Sequence, residues 1–370
     1  MSQVSVSDST EIEKLEVSAY TIPTDFPESD GTLDWDHTTI VVVEAVAADA
    51  RGLGYTYADT STAQLIQSLL VDAIAGSDAM DVVGAWAAMT RSIRNLGRPG
   101  IASMAIAAVD SALWDLKAKL LDLPLAKLLG MVRDGVCVYG SGGFTSYSLE
   151  QLQAQLRQWV ETGIPRVKMK IGRNPSEDPE RVRAARKAIG AGVELFVDAN
   201  GAYGRKQAVR LAHEFSQSEV SWFEEPVSSD DLEGLTLVGS AAPAGMEIAA
   251  GEYGYDSFYF RRMLEAGAVD VLQADATRCG GITGFLRIAA LCEAYSVPLS
   301  AHTAPALHLP LGCAIPCLRH LEYFHDHVRI EEMLFDGVVT PIAGVLHPDL
   351  SRPGFGLELR RADAGRYRVM

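Results

Sequence analysis

Two periods of hydrophobic positions divide the chain. Residues 12–20 and 38–47 carry strand-like alternation, the second around the β-branched run Thr38-Thr39-Ile40-Val41-Val42-Val43, which predicts an early strand pair. Residues 24–37 between them hold Pro27, Gly31, Trp35 and the acids Asp25, Glu28, Asp30, Asp34 and Asp36, and read as a loop with an exposed tryptophan. From residue 62 to about 129 the spacing is helical, with an Ala-rich helix over 102–121 that bears Asp110, Trp114, Asp115, Lys117 and Lys119. Strands followed by helices describe an α+β unit.

After Pro124 and Gly130, short apolar runs alternate with longer amphipathic ones. Strands are predicted over 136–139, 167–171, 194–197, 220–223, 247–250, 269–273, 298–300 and 319–321, with helices such as 149–162, 178–189 and 281–295 between them. Strands at this spacing with intervening helices fit a closed parallel (β/α) barrel. An open doubly wound sheet is the alternative, and no G-x-G-x-x-G follows the first strand to support it. Residues 342–370, punctuated by Pro and Gly, are too few for a domain and are expected to pack back on the N-terminal unit. The resulting division is a capping unit over 1–133, a barrel over 134–341 and a returning tail over 342–370.

The chain has 370 residues, 48% of them hydrophobic, so burial is ample, and disorder is expected only at the polar, Ser-rich N-terminus. A formal charge of −16 repels phosphate backbones and anionic lipids, and no basic run offsets it, which disfavours nucleic acid and membrane partners. An anionic substrate then needs a metal or a local cationic site to bind. The five cysteines, Cys137, Cys279, Cys292, Cys313 and Cys317, lack C-x-x-C spacing and are expected to be reduced and mostly buried. No apolar stretch reaches about 18 residues, and no signal-like segment opens the chain, so a cytoplasmic location is expected.

In a parallel barrel, polar residues that end strands face the active site. Lys168 and Lys170 in Val-Lys-Met-Lys-Ile fall on one side of a strand. Mutual repulsion and desolvation would leave one of them neutral enough to act as a base; the bland alternative is a solvated pair. Asp198, Glu224 and Glu252 end the next three strands, and three converging carboxylates suit octahedral Mg²⁺. Taken singly, each also fits a cap, an ion pair or a helix first turn. Glu225, adjacent to Glu224, is expected on the opposite side in an ion pair. Asp275 and His302 follow neighbouring strands and can form a dyad in which the carboxylate fixes the tautomer and raises basicity. His37, His213, His308, His320, His325 and His327 are expected to be surface or satisfied groups. Glu322, beyond the last strand, could donate to a substrate carboxylate if its pKa were raised.

In this order, the motifs resemble the mandelate racemase and muconate lactonising enzyme branch of the enolase superfamily, and the mandelate racemase subgroup in particular. The resemblance spans the chain. Residues 110–119 resemble the family's capping-domain helix, Lys168 and Lys170 its K-x-K motif, and Asp198, Glu224 and Glu252 its Mg²⁺ ligands. Asp275 and His302 resemble its dyad, Glu322 its electrophilic acid, and Asn200 a residue that contacts substrate near the α-carbon. It implies a modified, (β/α)7β-like barrel with a capping domain formed by the N-terminal region and the tail. It implies removal of the proton α to a carboxylate through an enediolate, with Lys170 and His302 on opposite faces and Mg²⁺ and Lys168 offsetting charge. Dehydration of a monoacid sugar to a 2-keto-3-deoxy acid is the favoured outcome, with racemisation or epimerisation the alternative. It also implies an octamer or dimer, and an early loop, residues 24–37, that closes over the barrel mouth.

The first barrel loop, Gly140 to Tyr147, is also expected within reach of sugar hydroxyls. Two other classes remain open. A non-catalytic binding barrel would need none of the charged strand ends, and a metal hydrolase would favour His-rich ligation of a softer metal.

Overall fold

The computed structural model describes residues 10–370; the polar stretch at residues 1–9 lies outside the described residues. The chain begins with a three-stranded antiparallel sheet of β1 (Lys14–Ser29), β2 (Asp34–Ala47) and β3 (Ala50–Tyr57). Residues 24–37 are therefore not a loop, as their turn residues predict, but the far end of the β1–β2 hairpin. A bulge between Pro23 and Glu28 absorbs Pro27, and pairing resumes at Glu28–Trp35 and Ser29–Asp34. The turn itself is closed by Asp30, whose Oδ1 accepts from the backbone of Thr32 at 2.6 Å and Leu33 at 2.7 Å. The tip meets the barrel at Gly31, where a Cβ would lie 2.5 Å from the carbonyl oxygen of Ala199 and 2.7 Å from that of Ile171.

The long helix Ile101–Leu120 covers one face of this sheet. Its Ala-rich sequence lets backbone pack closely, and Val41, Val43, Ala105, Ile106, Val109 and Leu113 belong to one buried cluster. Asp110 ties the helix to the barrel: it is fully buried and accepts from Thr283 N at 2.9 Å and Thr283 Oγ1 at 2.7 Å.

Eight parallel strands follow: β4 (Val136–Gly142), β5 (Arg166–Lys170), β6 (Glu194–Asp198), β7 (Val220–Glu224), β8 (Glu247–Ala250), β9 (Val271–Ala274), β10 (Leu299–Ala301) and β11 (Leu318–Phe324). Pairing of β11 with β4 closes the barrel, as the alternating strand and helix pattern predicts. β11 leads into the helix His325–Leu334, whose Glu331 accepts from Tyr55 of β3 at 2.6 Å. Residues 342–370 touch both parts. Val345–Leu346 pairs with β4, Phe355 N donates to Asp115 Oδ1 at 2.6 Å, and Val369 N donates to Ala19 O at 2.9 Å.

All five cysteines are free, with Cys279, Cys292 and Cys313 buried. No helix among the described residues is long and apolar enough to cross a membrane.

Candidate active site

Strand register builds the site in layers. Phe196 on β6 sits level with Lys168 on β5 and Trp222 on β7, and two residues on, Asp198 sits level with Lys170 and Glu224. The lower layer is an aromatic floor, with Phe196 and Trp222 stacked at 5.1 Å and Tyr139 edge-on to Phe196 at 5.3 Å. Above it stand the charges. Glu252 joins them from beyond β8 because the chain turns at Gly251, with φ +136°, where a Cβ would lie 2.1 Å from the Gln273 carbonyl oxygen.

Asp198, Glu224 and Glu252 are all buried, and one oxygen from each lies within 4.8 Å of the others. Lys168 Nζ donates to Glu224 Oε1 at 2.5 Å and lies 2.8 Å from Glu322 Oε1 and 3.4 Å from Asp198 Oδ2. Lys170 Nζ donates to Asp198 Oδ2 at 2.5 Å. Trp222 Nε1 holds the second Glu224 oxygen at 2.9 Å, and the backbone of Asn200 holds Asp198 Oδ1 at 2.9 Å. Glu252 Oε2 is buried without a hydrogen-bond partner; His302 Nε2, at 3.2 Å, makes an ion-pair contact that lacks hydrogen-bond geometry. Three hard carboxylate donors, one of them unsatisfied, fit a divalent cation such as Mg²⁺.

His302 enters from the end of β10. Its Nδ1 lies 2.9 Å from Asp275 Oδ2, and Thr277 N donates to Asp275 Oδ1 at 2.7 Å, so the dyad forms and its carboxylate is itself held. Glu322 on β11 accepts from Ser141 Oγ at 2.5 Å and from Thr303 N at 3.1 Å. β5 and β10 stand on opposite sides of the barrel, with β4 and β11 between them along one arc and four strands along the other. Lys170 and His302 therefore approach the mouth from facing directions.

The charge states differ from those the isolated motifs suggest. Burial lowers the proton affinity of both lysines, but the carboxylates outweigh it: Glu224 and Glu322 hold Lys168, and Asp198 holds Lys170, above the ordinary range. With no cation on the carboxylates, mutual repulsion of the lysines is smaller than their attraction to acids at contact. Burial would raise Glu322, yet Lys168 pulls it down to about 2, so it is ionised rather than a ready donor. Burial and Asp198 push Glu224 up to about 8 despite Lys168. His302 is raised to about 9 because Glu252 and Glu322 outweigh its burial.

Glu225 is a further correction. It is buried, 1% exposed, with Oε1 unpartnered, and burial and Glu252 raise its pKa well above the usual range. Its φ of +38° breaks the strand alternation that would have turned it outward to an ion pair.

A cavity of about 400 Å³ opens above these groups, lined at its base by Lys170, Asn200, Glu252, His302 and Glu322. Leu33, Trp35 and His37 of the hairpin line its upper wall. Trp35 is half-buried rather than exposed, its Nε1 donating to Glu28 Oε2 at 2.7 Å and its ring edge-on to Phe144 at 5.6 Å. The loop after β4 does not line the cavity. Thr145 and Ser146 instead hydrogen-bond Ser29, Asp30 and Pro27, so this loop buttresses the hairpin.

Two lining residues escape the sequence reading. Arg278 lies 3.6 Å from both Glu252 and Asp275, and His327, buried and stacked on Tyr57 at 3.4 Å, is satisfied as expected, its Nδ1 accepting from Ala304 N at 3.4 Å, but its place in the cavity wall is new. Arg278, three residues beyond Asp275 in the same loop, carried a usable positional signal; His327 carried none.

Residues 25–130 match the Mandelate racemase / muconate lactonizing enzyme N-terminal domain, and residues 151–364 match the Enolase C-terminal domain-like family. A mandelate racemase/muconate lactonizing enzyme-like protein from Rubrobacter xylanophilus superposes with TM-score 0.95 at 56% identity, covering 97% of this chain and 99% of its own. The L-talarate/galactarate dehydratase of Salmonella typhimurium is 36% identical over 77% of this chain and 73% of its own. Its structure liganded with Mg and L-lyxarohydroxamate superposes with TM-score 0.89 at 31% identity, over 100% of this chain and 95% of that one. The 3,6-anhydro-alpha-L-galactonate cycloisomerase of Streptomyces coelicolor is 31% identical over 97% of this chain and 99% of its own. With both parts of the chain matched in order, and the strand-end residues arranged as described, the chain belongs to the mandelate racemase / muconate lactonizing enzyme family of the enolase superfamily.

Proposed function

We propose that this chain is a Mg²⁺-dependent dehydratase of a monoacid sugar, forming a 2-keto-3-deoxy acid. The observation that carries the reading is one cavity walled by a lysine and a Asp-backed histidine from facing strands, above three clustered carboxylates. Mg²⁺ held by Asp198, Glu224 and Glu252 would supply Lewis-acid charge for the substrate carboxylate.

Lys170 removes the proton α to that carboxylate, which requires it first to give up its own proton. Lys168 offsets the negative charge that develops. Glu322, ionised in the structure, takes up a proton from solvent to hydrogen-bond the substrate carboxylate, so that Lys168, 2.8 Å away, keeps its charge. His302, favoured as imidazolium, gives its proton to the departing β-hydroxyl, and Asp275 holds the ring in position. Asn200, whose buried Oδ1 has no partner and which lines the cavity, is the proposed contact near the α-carbon. A monoacid is favoured because Arg278, a cationic lining group, is already engaged by Glu252 and Asp275.

The full-length match to a cycloisomerase supports a second reading, in which a ring bond of the substrate breaks or forms and nothing leaves. In racemisation or epimerisation His302 would instead return a proton to the α-carbon. A homo-oligomer, dimer or octamer, and a cytoplasmic location with reduced cysteines complete the proposal. Metal titration into chelator-stripped protein tests its base: Glu252→Gln should weaken Mg²⁺ binding by at least about tenfold, and unchanged affinity would remove Glu252 from the metal site.

A further inference from the structure

The hairpin over the cavity carries a second cluster of ligating side chains, separate from the barrel carboxylates. The bulge between Pro23 and Glu28 brings Asp25 and Glu28 of β1 against His325, the first residue after β11. One ligand atom from each lies within 4.8 Å of the other two, and His325 Nε2 is 3.0 Å from Asp25 Oδ2. Aromatic packing holds both sides of the cluster in place: Phe26 is edge-on to Tyr147 at 6.3 Å, and the His325 ring is edge-on to Phe144 at 6.5 Å.

Glu28 supplies an independent sign of a ligand. The residue is 1% exposed; Trp35 satisfies Oε2, but Oε1 is buried with no hydrogen-bond partner. A buried carboxylate oxygen without a donor is costly, and a cation would answer it. The nearby charges do not. Arg329 attracts Glu28 but makes no hydrogen bond to it: one of its terminal nitrogens donates to Asp326 Oδ1 at 2.6 Å and to Pro23 O at 2.7 Å, its Nε is buried without a partner, and Asp326 adds negative charge that outweighs it beside Glu28.

We propose that Asp25, Glu28 and His325 bind a divalent transition-metal ion, Zn²⁺ or Mn²⁺, that fastens the hairpin to the end of β11. Two carboxylates and an imidazole suit such ions better than Mg²⁺, which prefers oxygen donors alone. The site holds the wall formed by Leu33, Trp35 and His37 over the cavity and takes no part in the chemistry.

Equilibrium dialysis of the chelator-stripped full chain against Zn²⁺ tests this, and the part of the tryptophan fluorescence change that Trp35→Phe removes reports on Trp35. Wild type should bind two ions per chain, one in the barrel and one under the hairpin. Glu28→Gln and His325→Asn should each lower the affinity of one ion by more than about tenfold, whereas Glu224→Gln should keep that ion and its fluorescence change. His325→Asn leaves the hairpin sequence intact, so a misfolded hairpin cannot imitate the result. Zn²⁺ binding unaffected by both Glu28→Gln and His325→Asn, or a single ion abolished by Glu224→Gln, would overturn the proposal.

Discussion

Lys168 serves three carboxylates at once, and its replacement by methionine keeps the side chain's bulk while removing the charge. Its Nζ lies 2.5 Å from Glu224, 2.8 Å from Glu322 and 3.4 Å from Asp198, and the side chain is fully buried. Removing one partner of a buried ion pair costs about 3–5 kcal/mol, because the remaining charges are left uncompensated. Protonation relieves part of that cost. Glu224 is already pushed up to about 8 by burial and by Asp198, with Lys168 holding it down, so in the variant it climbs further. For an acid whose folded pKa is raised, the stability contribution is present below the unfolded value of 4.5 and is lost as pH rises through the folded value. The deficit of Lys168→Met in chelator should therefore be smallest at low pH and grow toward pH 9.

Mg²⁺ bound by the same acids would replace the missing countercharge. At a hundred times its Kd a bound ion contributes about 2.7 kcal/mol, and the variant should gain more than wild type because no ammonium competes for the oxygens. Denaturant unfolding of both proteins at two pH values, with chelator and with saturating Mg²⁺, measures each quantity. An equal deficit with and without Mg²⁺, or weaker Mg²⁺ binding by the variant, would refute the reasoning.

Lys170→Ala and His302→Asn should each lower turnover by at least about 10²–10⁴-fold with the fold intact by circular dichroism; full activity in either would dismiss the two-base assignment. In metal-stripped protein His302 should titrate at about 9 by NMR, because Glu252 and Glu322 outweigh its burial, and Asp275→Asn should lower that value. By sign, this raised imidazole stabilises the stripped fold below about 6.5 and the benefit fades as pH rises through 9, so His302→Asn should flatten that part of the pH–stability curve. A titration at 6.5 would count against the electrostatics. Asp110→Ala removes both acceptors of Thr283 and, above the pKa of about 7 to which burial pushes Asp110, should cost about 3–6 kcal/mol, at about 1.5–3 for each hydrogen bond to a charged group; a loss below about 1 kcal/mol in urea unfolding at about pH 8 would deny Asp110 its role in docking cap to barrel.

The barrel was legible because its strands are short apolar runs at regular spacing and its charged residues stand at their ends. Lys168, Lys170, Asp198, Glu224 and Glu322 come together through strand register, which period-two alternation already contains, and Glu252, Asp275 and His302 join them from one or two residues beyond their strand ends. Glu225 was misread because one left-handed residue undoes that alternation, and nothing in Glu-Glu-Pro announces it. β3 went unnoticed since Gly52 and Gly54 stand where branched residues would mark a strand; the long cap helix packs directly on that face. The hairpin looked like a loop because Pro27 and Gly31 are turn residues, whereas a bulge and a tight tip accommodate them within paired strands. Charge states were beyond the sequence altogether. Whether a lysine is held protonated depends on contacts of 2.5–2.8 Å that spacing does not supply.

Above all, this site takes a proton from the carbon next to a carboxylate. Incubating a panel of stereoisomeric acid sugars with the enzyme and Mg²⁺ in deuterated water, and following both keto-acid formation and α-deuterium, tests it most directly. A 2-keto acid should form from at least one monoacid sugar, Mg²⁺-dependent and lost in Lys170→Ala; neither keto acid nor α-deuterium from any member of the panel would contradict proton removal at this site.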